Sequence, residues 1–235
     1  ISSNSFVLGG NSFGGYGAGM NIVSGNSSLI RCVFSGNQAN SFIFGGTIGG
    51  ALYIVSANAT LSNCVFWGNS AQNAACIGLG GAEFNNSVIT NCTFANNTSN
   101  FAGTSIQGFA DANFRNCIFW NNTPTSSPVA NRNEIYSQET RVSFQPTFTN
   151  CIVRDAGGSP LGVTNTIMSG ALNGNPLFVN ITDGDGADNI WGTADDGLML
   201  QASSPAINAG VTGTPVPSAD IRSFVRDAQP DIGAY

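Results

Sequence analysis

The chain has 235 residues, 42% of them hydrophobic and 9% charged, with a formal net charge of −6, no His, no Lys and seven Arg as its whole basic complement. Ordinary globular domains carry roughly 25% charged residues, so this surface is hydrated mainly by neutral amides and hydroxyls, and the apolar content excludes a disordered polymer. Nucleic acid is excluded as a partner, because no basic cluster is present to neutralise phosphate and only Arg31 and Arg115 precede Arg132.

In chain order, Phe6-Val-Leu-Gly-Gly-Asn11 reads as a partial first repeat. A fuller phrase then returns with variation: Leu29-Ile-Arg-Cys32-Val-Phe34-Ser-Gly-Asn37, Leu61-Ser-Asn63-Cys64-Val-Phe66-Trp-Gly-Asn69, Ile89-Thr-Asn91-Cys92-Thr-Phe94-Ala-Asn-Asn97 and Phe114-Arg-Asn116-Cys117-Ile-Phe119-Trp-Asn-Asn122. A decayed copy follows at Phe148-Thr-Asn150-Cys151-Ile-Val153. Recurrence at about 25 to 34 residues is the signature of a solenoid.

Cys and Phe in Cys-x-Phe point to one side of a short strand, yet the apolar residue three before the Cys would point to the other side of a continuous strand. The chain must therefore bend between them. Asn63, Asn91, Asn116 and Asn150 stand directly before their cysteines, and Asn is the non-glycine residue best suited to the left-handed region that makes such a bend. Strand, left-handed bend, strand is the grammar of a right-handed parallel β-helix, which would stack Cys on Cys, Phe on Phe and Asn on Asn, with amides bonded along the row. Arg31 replaces the Asn in the first copy, and a different turn is expected there. A third strand per coil is expected at Ala18 to Val23, Gly50 to Val55, Gly81 to Phe84 and Ile106 to Phe109. The fold is thus all-β, with coils over 1–158 and an irregular capping region over 159–235 that covers the open solenoid end.

Five cysteines at equivalent inward positions read as small buried hydrophobes rather than a disulfide framework, and Cys76 lies in an excursion, outside the repeated position. Without His or a Cys-x-x-Cys pair, the thiols do not form a zinc site. The densest acidic stretch, carrying Asp183, Asp185, Asp188, Asp195 and Asp196, alternates with Gly in the way that gathers oxygen ligands around calcium, although its spacing departs from an EF-hand loop. The other reading is an acidic solvated loop. Trp67 and Trp120 follow the inward Phe and should point outward, as platforms for sugar or protein unless a loop covers them.

A polyuronate lyase needs cations and a base, which the coils do not supply. A glycoside hydrolase needs two carboxyl groups roughly 5 to 10 Å apart, and the coils offer Glu83, Asp111, Glu134, Glu139 and Asp155 singly, with Glu83 and Asp111 as the one pair that neighbouring coils could bring together.

The repeats, with Gly-Gly-Ala-Leu52 and Phe-x-x-Asn, resemble those of the chlamydial polymorphic outer-membrane proteins. The closing stretch, with Asn175-Pro-Leu-Phe178, Gly192 to Leu200, Ser204-Pro-Ala-Ile-Asn-Ala-Gly210, Asp220-Ile-Arg222 and Pro230-Asp-Ile-Gly-Ala-Tyr235, resembles bacterial β-helix proteins of the choice-of-anchor Q type. The resemblance implies an exported bacterial surface protein, extracellular or on the cell surface, of a family with no single activity; with the lack of catalytic residues on the coils, the expected role is a non-catalytic adhesive or structural scaffold. The alternative is a carbohydrate-active β-helix. Its partner would be a surface glycan or protein, or a larger surface assembly, and the chain is expected to be a fragment of a longer protein.

Overall fold

The structure, a computed structural model, describes residues 5–8, 17–41, 49–80, 86–100, 106–108, 111–125, 135–136, 146–153, 167–170 and 172–235. Among these residues there are strands and turns and no helix, hence no helix long and apolar enough to cross a membrane. Glu83, Glu134, Glu139 and Asp155 lie outside the described residues.

The strands form four parallel sheets. Sheet 1 holds Met20–Ile22, Leu52–Val55, Ile77–Gly80, Ile106–Gly108 and Ile135–Tyr136. Sheet 2 holds Gly25–Ile30, Ala57–Ser62, Val88–Thr90, Asn113–Arg115, Thr147–Thr149 and Ile167–Ser169. Sheet 3 holds Val33–Ser35, Val65–Trp67, Thr93–Ala95, Ile118–Trp120 and Ile152–Val153. Sheet 4 holds Ser5–Leu8, Gln38–Ser41, Ser70–Ala71, Thr98–Ser99 and Thr123–Pro124. Each coil visits the sheets in that order, and each strand pairs in register with its equivalent one repeat away, so that Phe34 faces Phe66, Phe66 faces Phe94 and Phe94 faces Phe119. The fold is a parallel β-helix, with four strands per coil where the sequence suggested three. Ile77–Gly80 is the sheet 1 strand of its coil; the strand expected at Gly81 to Phe84 falls outside the described residues.

The corners are made by stacked left-handed residues. Between sheets 2 and 3 these are Arg31, Asn63, Asn91, Asn116 and Asn150, with φ of 53°, 52°, 50°, 52° and 47°. The different turn expected at Arg31 does not occur. Its N–H donates to the Ser62 carbonyl at 2.9 Å, and the pairs Ile30 with Ser62 and Val33 with Val65 flank it, so the register of the next coil imposes the corner. A left-handed non-glycine residue costs roughly 1–2 kcal/mol, which the ladder on both sides offsets.

Inside the corner, Phe34, Phe66, Phe94 and Phe119 form a stack with ring centroids 4.8, 4.8 and 4.5 Å apart. Phe114 and Phe148 form a second stack at 4.7 Å and meet Phe119 edge to face. Cys64, Cys92, Cys117 and Cys151 are buried beside them, and all six cysteines are free thiols. Cys76 lies in the excursion between Ser70–Ala71 and Ile77–Gly80, and it is fully buried in the same core just ahead of the sheet 1 strand.

A second Asn row closes the interior at the start of sheet 4. Asn37, Asn69, Asn97 and Asn122 have no solvent exposure. Each amide donates to the carboxamide oxygen of the next, Asn37 to Asn69 at 2.9 Å, Asn69 to Asn97 at 3.0 Å and Asn97 to Asn122 at 2.8 Å. The same oxygens also accept the backbone N–H of the preceding coil, at 3.0, 2.9 and 3.0 Å. A carboxamide carries both donor and acceptor, so the row satisfies itself without charge.

Residues 172–235 form an irregular layer on the outer face of sheet 3. They lie along the flank of the coils; residues 159–166, where the capping region expected from the sequence begins, lie outside the described residues. Val65, Ala95, Ile118 and Ile152, facing outward from sheet 3, pack with Phe178, Leu198, Ala206, Ile221, Ile232, Ala234 and Tyr235 in a core separate from the one inside the coils. Gly233, at φ +105°, sits where this layer comes closest: a Cβ there would stand 2.8 Å from Ile118 Cδ1. The strand Ile167–Ser169 still belongs to sheet 2, and Leu172 still bridges Ile152, so the irregular layer starts just after them.

Candidate binding surfaces

The corner asparagines that make the bend also fasten the flank layer. Asn63 Nδ2 donates to the Ala219 carbonyl at 2.6 Å, Asn91 to Asp231 at 2.9 Å, Asn116 to Val211 at 2.9 Å and Asn150 to Ala209 at 2.9 Å. The expected bonding along this row reduces to one long contact, Asn116 to Asn91 at 3.4 Å; the amides that bond along a row are those of sheet 4. At the corner the side chain projects away from the core, toward whatever covers it. The four described arginines serve the same layer: Arg31 donates to Ser223 Oγ, Arg115 to the Thr214 carbonyl, and Arg222 and Arg226 belong to the layer itself.

Trp67 and Trp120 do point outward, one on each side of Ala95 in sheet 3, but the flank layer meets them. Trp67 donates its Nε1–H to the Ile181 carbonyl at 3.0 Å and packs edge to face on Trp191 at 5.8 Å. Trp120 is half-buried against the same outer core. The covering layer takes the role that the sequence left open for sugar.

Asp183, Asp185, Asp188, Asp195 and Asp196 do not converge, and among the described residues no group of three or more His, Cys, Asp or Glu could hold a metal ion. Asp196 is fully buried and accepts from Gly192 N–H at 2.7 Å, Thr193 N–H at 3.3 Å, Thr193 Oγ1 at 3.2 Å and the Tyr235 hydroxyl. Asp195 accepts from Thr193 Oγ1 at 2.7 Å and Asp188 N–H at 3.1 Å, and these bonds lower its pKa, the hydroxyl bond most strongly. Asp188 accepts from Ile190 N–H at 2.8 Å. Asp188, Asp195 and Asp196 thus organise their own loop as hydrogen-bond acceptors. Burial, then the bond to Asp196, pushes the Tyr235 hydroxyl pKa up.

One cleft of about 210 Å³ opens in the flank layer, lined by Asp220, Arg222, Phe224, Arg226, Asp231, Tyr235 and their neighbours. Arg222 is held by Asp220 Oδ2 through Nε at 3.2 Å and Nη2 at 3.1 Å. Its guanidinium lies 4.9 Å from the Phe224 ring and 5.9 Å from the Tyr235 ring. Arg226 donates to the Asp231, Gly233 and Tyr235 carbonyls at 3.4, 2.9 and 3.1 Å and to Asn63 Oδ1 at 3.0 Å. Burial lowers its pKa, while Asp220 and Asp231 oppose that shift. The sequence reading passed over this cleft. Its signal was present: Arg222 and Arg226 stand among Asp220, Asp227 and Asp231 within the final sixteen positions of a charge-poor chain.

The outer face of sheet 2 is a second accessible surface among the described residues. Asn26, Ser28, Asn58, Thr60 and Asn113 are exposed on it as neutral amides and hydroxyls, with Ile30 beside them as an exposed apolar residue. Asp111 is half-buried beside its Asn113 strand, and the Glu83 that would pair with it lies outside the described residues.

The fold and surfaces together define a parallel β-helix with a flank-laid closing layer. No protein family and no curated protein matches the chain.

Proposed function

We propose that this chain is an exported bacterial surface β-helix that works as a non-catalytic scaffold, binding a glycan or protein or holding a larger surface assembly. The reading rests on one observation above all: among the described residues, all four arginines and three of the five aspartates of the acidic stretch are engaged in or with the flank layer. Arg31, Arg115, Arg222 and Arg226 are tied to it, and Asp188, Asp195 and Asp196 accept hydrogen bonds within it. What is left open on sheet 2 is neutral, which suits contact by hydrogen bonding and not proton transfer. The resemblance of the repeats and closing stretch to surface β-helix proteins points the same way.

The test is incubation of the chain with neutral and acidic polysaccharides and with surface-protein fractions, in calcium and in chelator, scoring retention and newly formed chain ends together. Retention without new ends, equal in calcium and chelator, is the expected result. New ends would overturn the non-catalytic reading in favour of a lyase or glycoside hydrolase.

A further inference from the structure

We propose that the cleft formed by Asp220, Arg222, Phe224, Arg226, Asp231 and Tyr235 binds one ring of a neutral saccharide; this deepens the binding reading above and rests on it. Phe224 carries the inference. It is 62% exposed, whereas the other large aromatic side chains of the layer, Phe178, Trp191 and Tyr235, pack into the outer core. Its exposure is not that of a loose loop. The Phe224 N–H donates to Asp220 Oδ1 at 2.9 Å, its carbonyl accepts from the Asp220 N–H at 2.8 Å, and Val225 bridges Ala219 beside it. Arg222 covers one face of the ring, which leaves an aromatic side chain presented rigidly at the mouth of a cleft.

The size and polar groups of the cleft select the ligand. Its volume of about 210 Å³ is below the ~300–1,000 Å³ of pockets for drug-sized molecules and suits one sugar ring. Arg222 is held by Asp220 and Met199, Arg226 gives both terminal nitrogens to carbonyls and to Asn63, and the Arg226 Nε that has no partner is buried, so the two are poor receptors for a carboxylate or sulfate. Three aspartates against two arginines in the lining also disfavour an anion. An ammonium would lie against two guanidiniums in the same small space. A neutral polyol meets neither penalty: its hydroxyls can donate to Asp231, whose Oδ1 is engaged by the Asn208 N–H at 2.8 Å while Oδ2 remains, and its C–H face can lie on Phe224.

The experiment compares retention of the whole chain on immobilised galactomannan, β-glucan and α-glucan with retention on a polyuronate and on a lysine-rich peptide. Phe224→Ala is tested beside Ile190→Ala, a control of similar exposure outside the cleft. The expected result is retention on at least one neutral polysaccharide, competed by its free monosaccharide, weakened about tenfold by Phe224→Ala and unchanged by Ile190→Ala. An unchanged melting temperature in Phe224→Ala assigns that loss to the site and not to the fold. Equal retention of Phe224→Ala and the parent overturns the proposal. Retention only on the polyuronate, the peptide or a surface protein also overturns it and leaves the scaffold reading standing, whereas retention on nothing removes the binding part of both.

Discussion

The buried asparagines of sheet 4 are the clearest case of one residue type doing what no apolar residue could. Asn97 donates to the Phe66 carbonyl at 2.9 Å and to Asn122 Oδ1 at 2.8 Å, and accepts from the Asn69 backbone at 2.9 Å and side chain at 3.0 Å. Asn97→Ala leaves those partners buried without a mate, so unfolding free energy measured in urea should fall by about 3 kcal/mol; an unchanged midpoint would contradict the ladder. The thiols make a second prediction. Burial pushes Cys92 and Cys151 above their ordinary value of 9.0. Above that pH the unfolded chain releases thiol protons that the folded chain retains, so the folded state binds more protons and stability falls with rising pH. The contribution is complete below pH 9.0 and is lost as pH climbs beyond it. Urea midpoints measured upward from neutral pH should show this decline, and Cys92→Ala should reduce its slope. The recurrence of Phe-x-x-Asn made the row visible in the sequence, but not its bonding. Both Asn rows have the same repeat spacing, and only the direction of the corner decides which faces inward.

The bends and the flank contacts meet at the element scale. Asn116 sits at φ 52°, donates to the Val211 carbonyl and accepts the Val211 N–H at 2.9 Å. Asn116→Gly keeps the bend and removes the fastening, while Asn116→Ala removes both. The alanine variant should therefore be less stable than the glycine variant by about 1 kcal/mol, the cost of a left-handed alanine, in paired denaturation curves. Equal stability would mean that the corner is not strained. The bend was legible from Asn before Cys in four copies, and Arg31 was misread because its register is set by the following coil and not by its own preference. The middle residues of Cys-x-Phe also carried a signal that went unread. Val33, Val65, Thr93, Ile118 and Ile152 are β-branched, and strands apolar on both faces are covered on both faces. The cover over Trp67 and Trp120 follows from the same pattern.

At the scale of the molecule, the closing layer ties the coils to one another along their length. It meets the first full coil through Arg31 and Ser223, the next through Asn63 and Ala219, and the following ones through Asn91, Asn116 and Asn150. The Ala234 N–H also donates to Thr93 Oγ1 at 3.0 Å, and the Gly233 N–H to the Asn116 carbonyl at 2.9 Å. A layer fastened to so many coils cannot lift from one without straining the others, so layer and coils should unfold as a unit. The layer's own turns and prolines say where the chain is irregular and not which surface it covers; only the apolar outer face of sheet 3 carried a signal for its place on the flank. The most direct measurement is amide hydrogen exchange of the native chain, followed at Val211, Gly233 and Ala234 in the layer and at Val65, Thr93 and Ile118 beneath it. Exchange of both groups at the rate of global unfolding is the predicted result. Rapid exchange in the layer while the sheet 3 amides stay protected would contradict it.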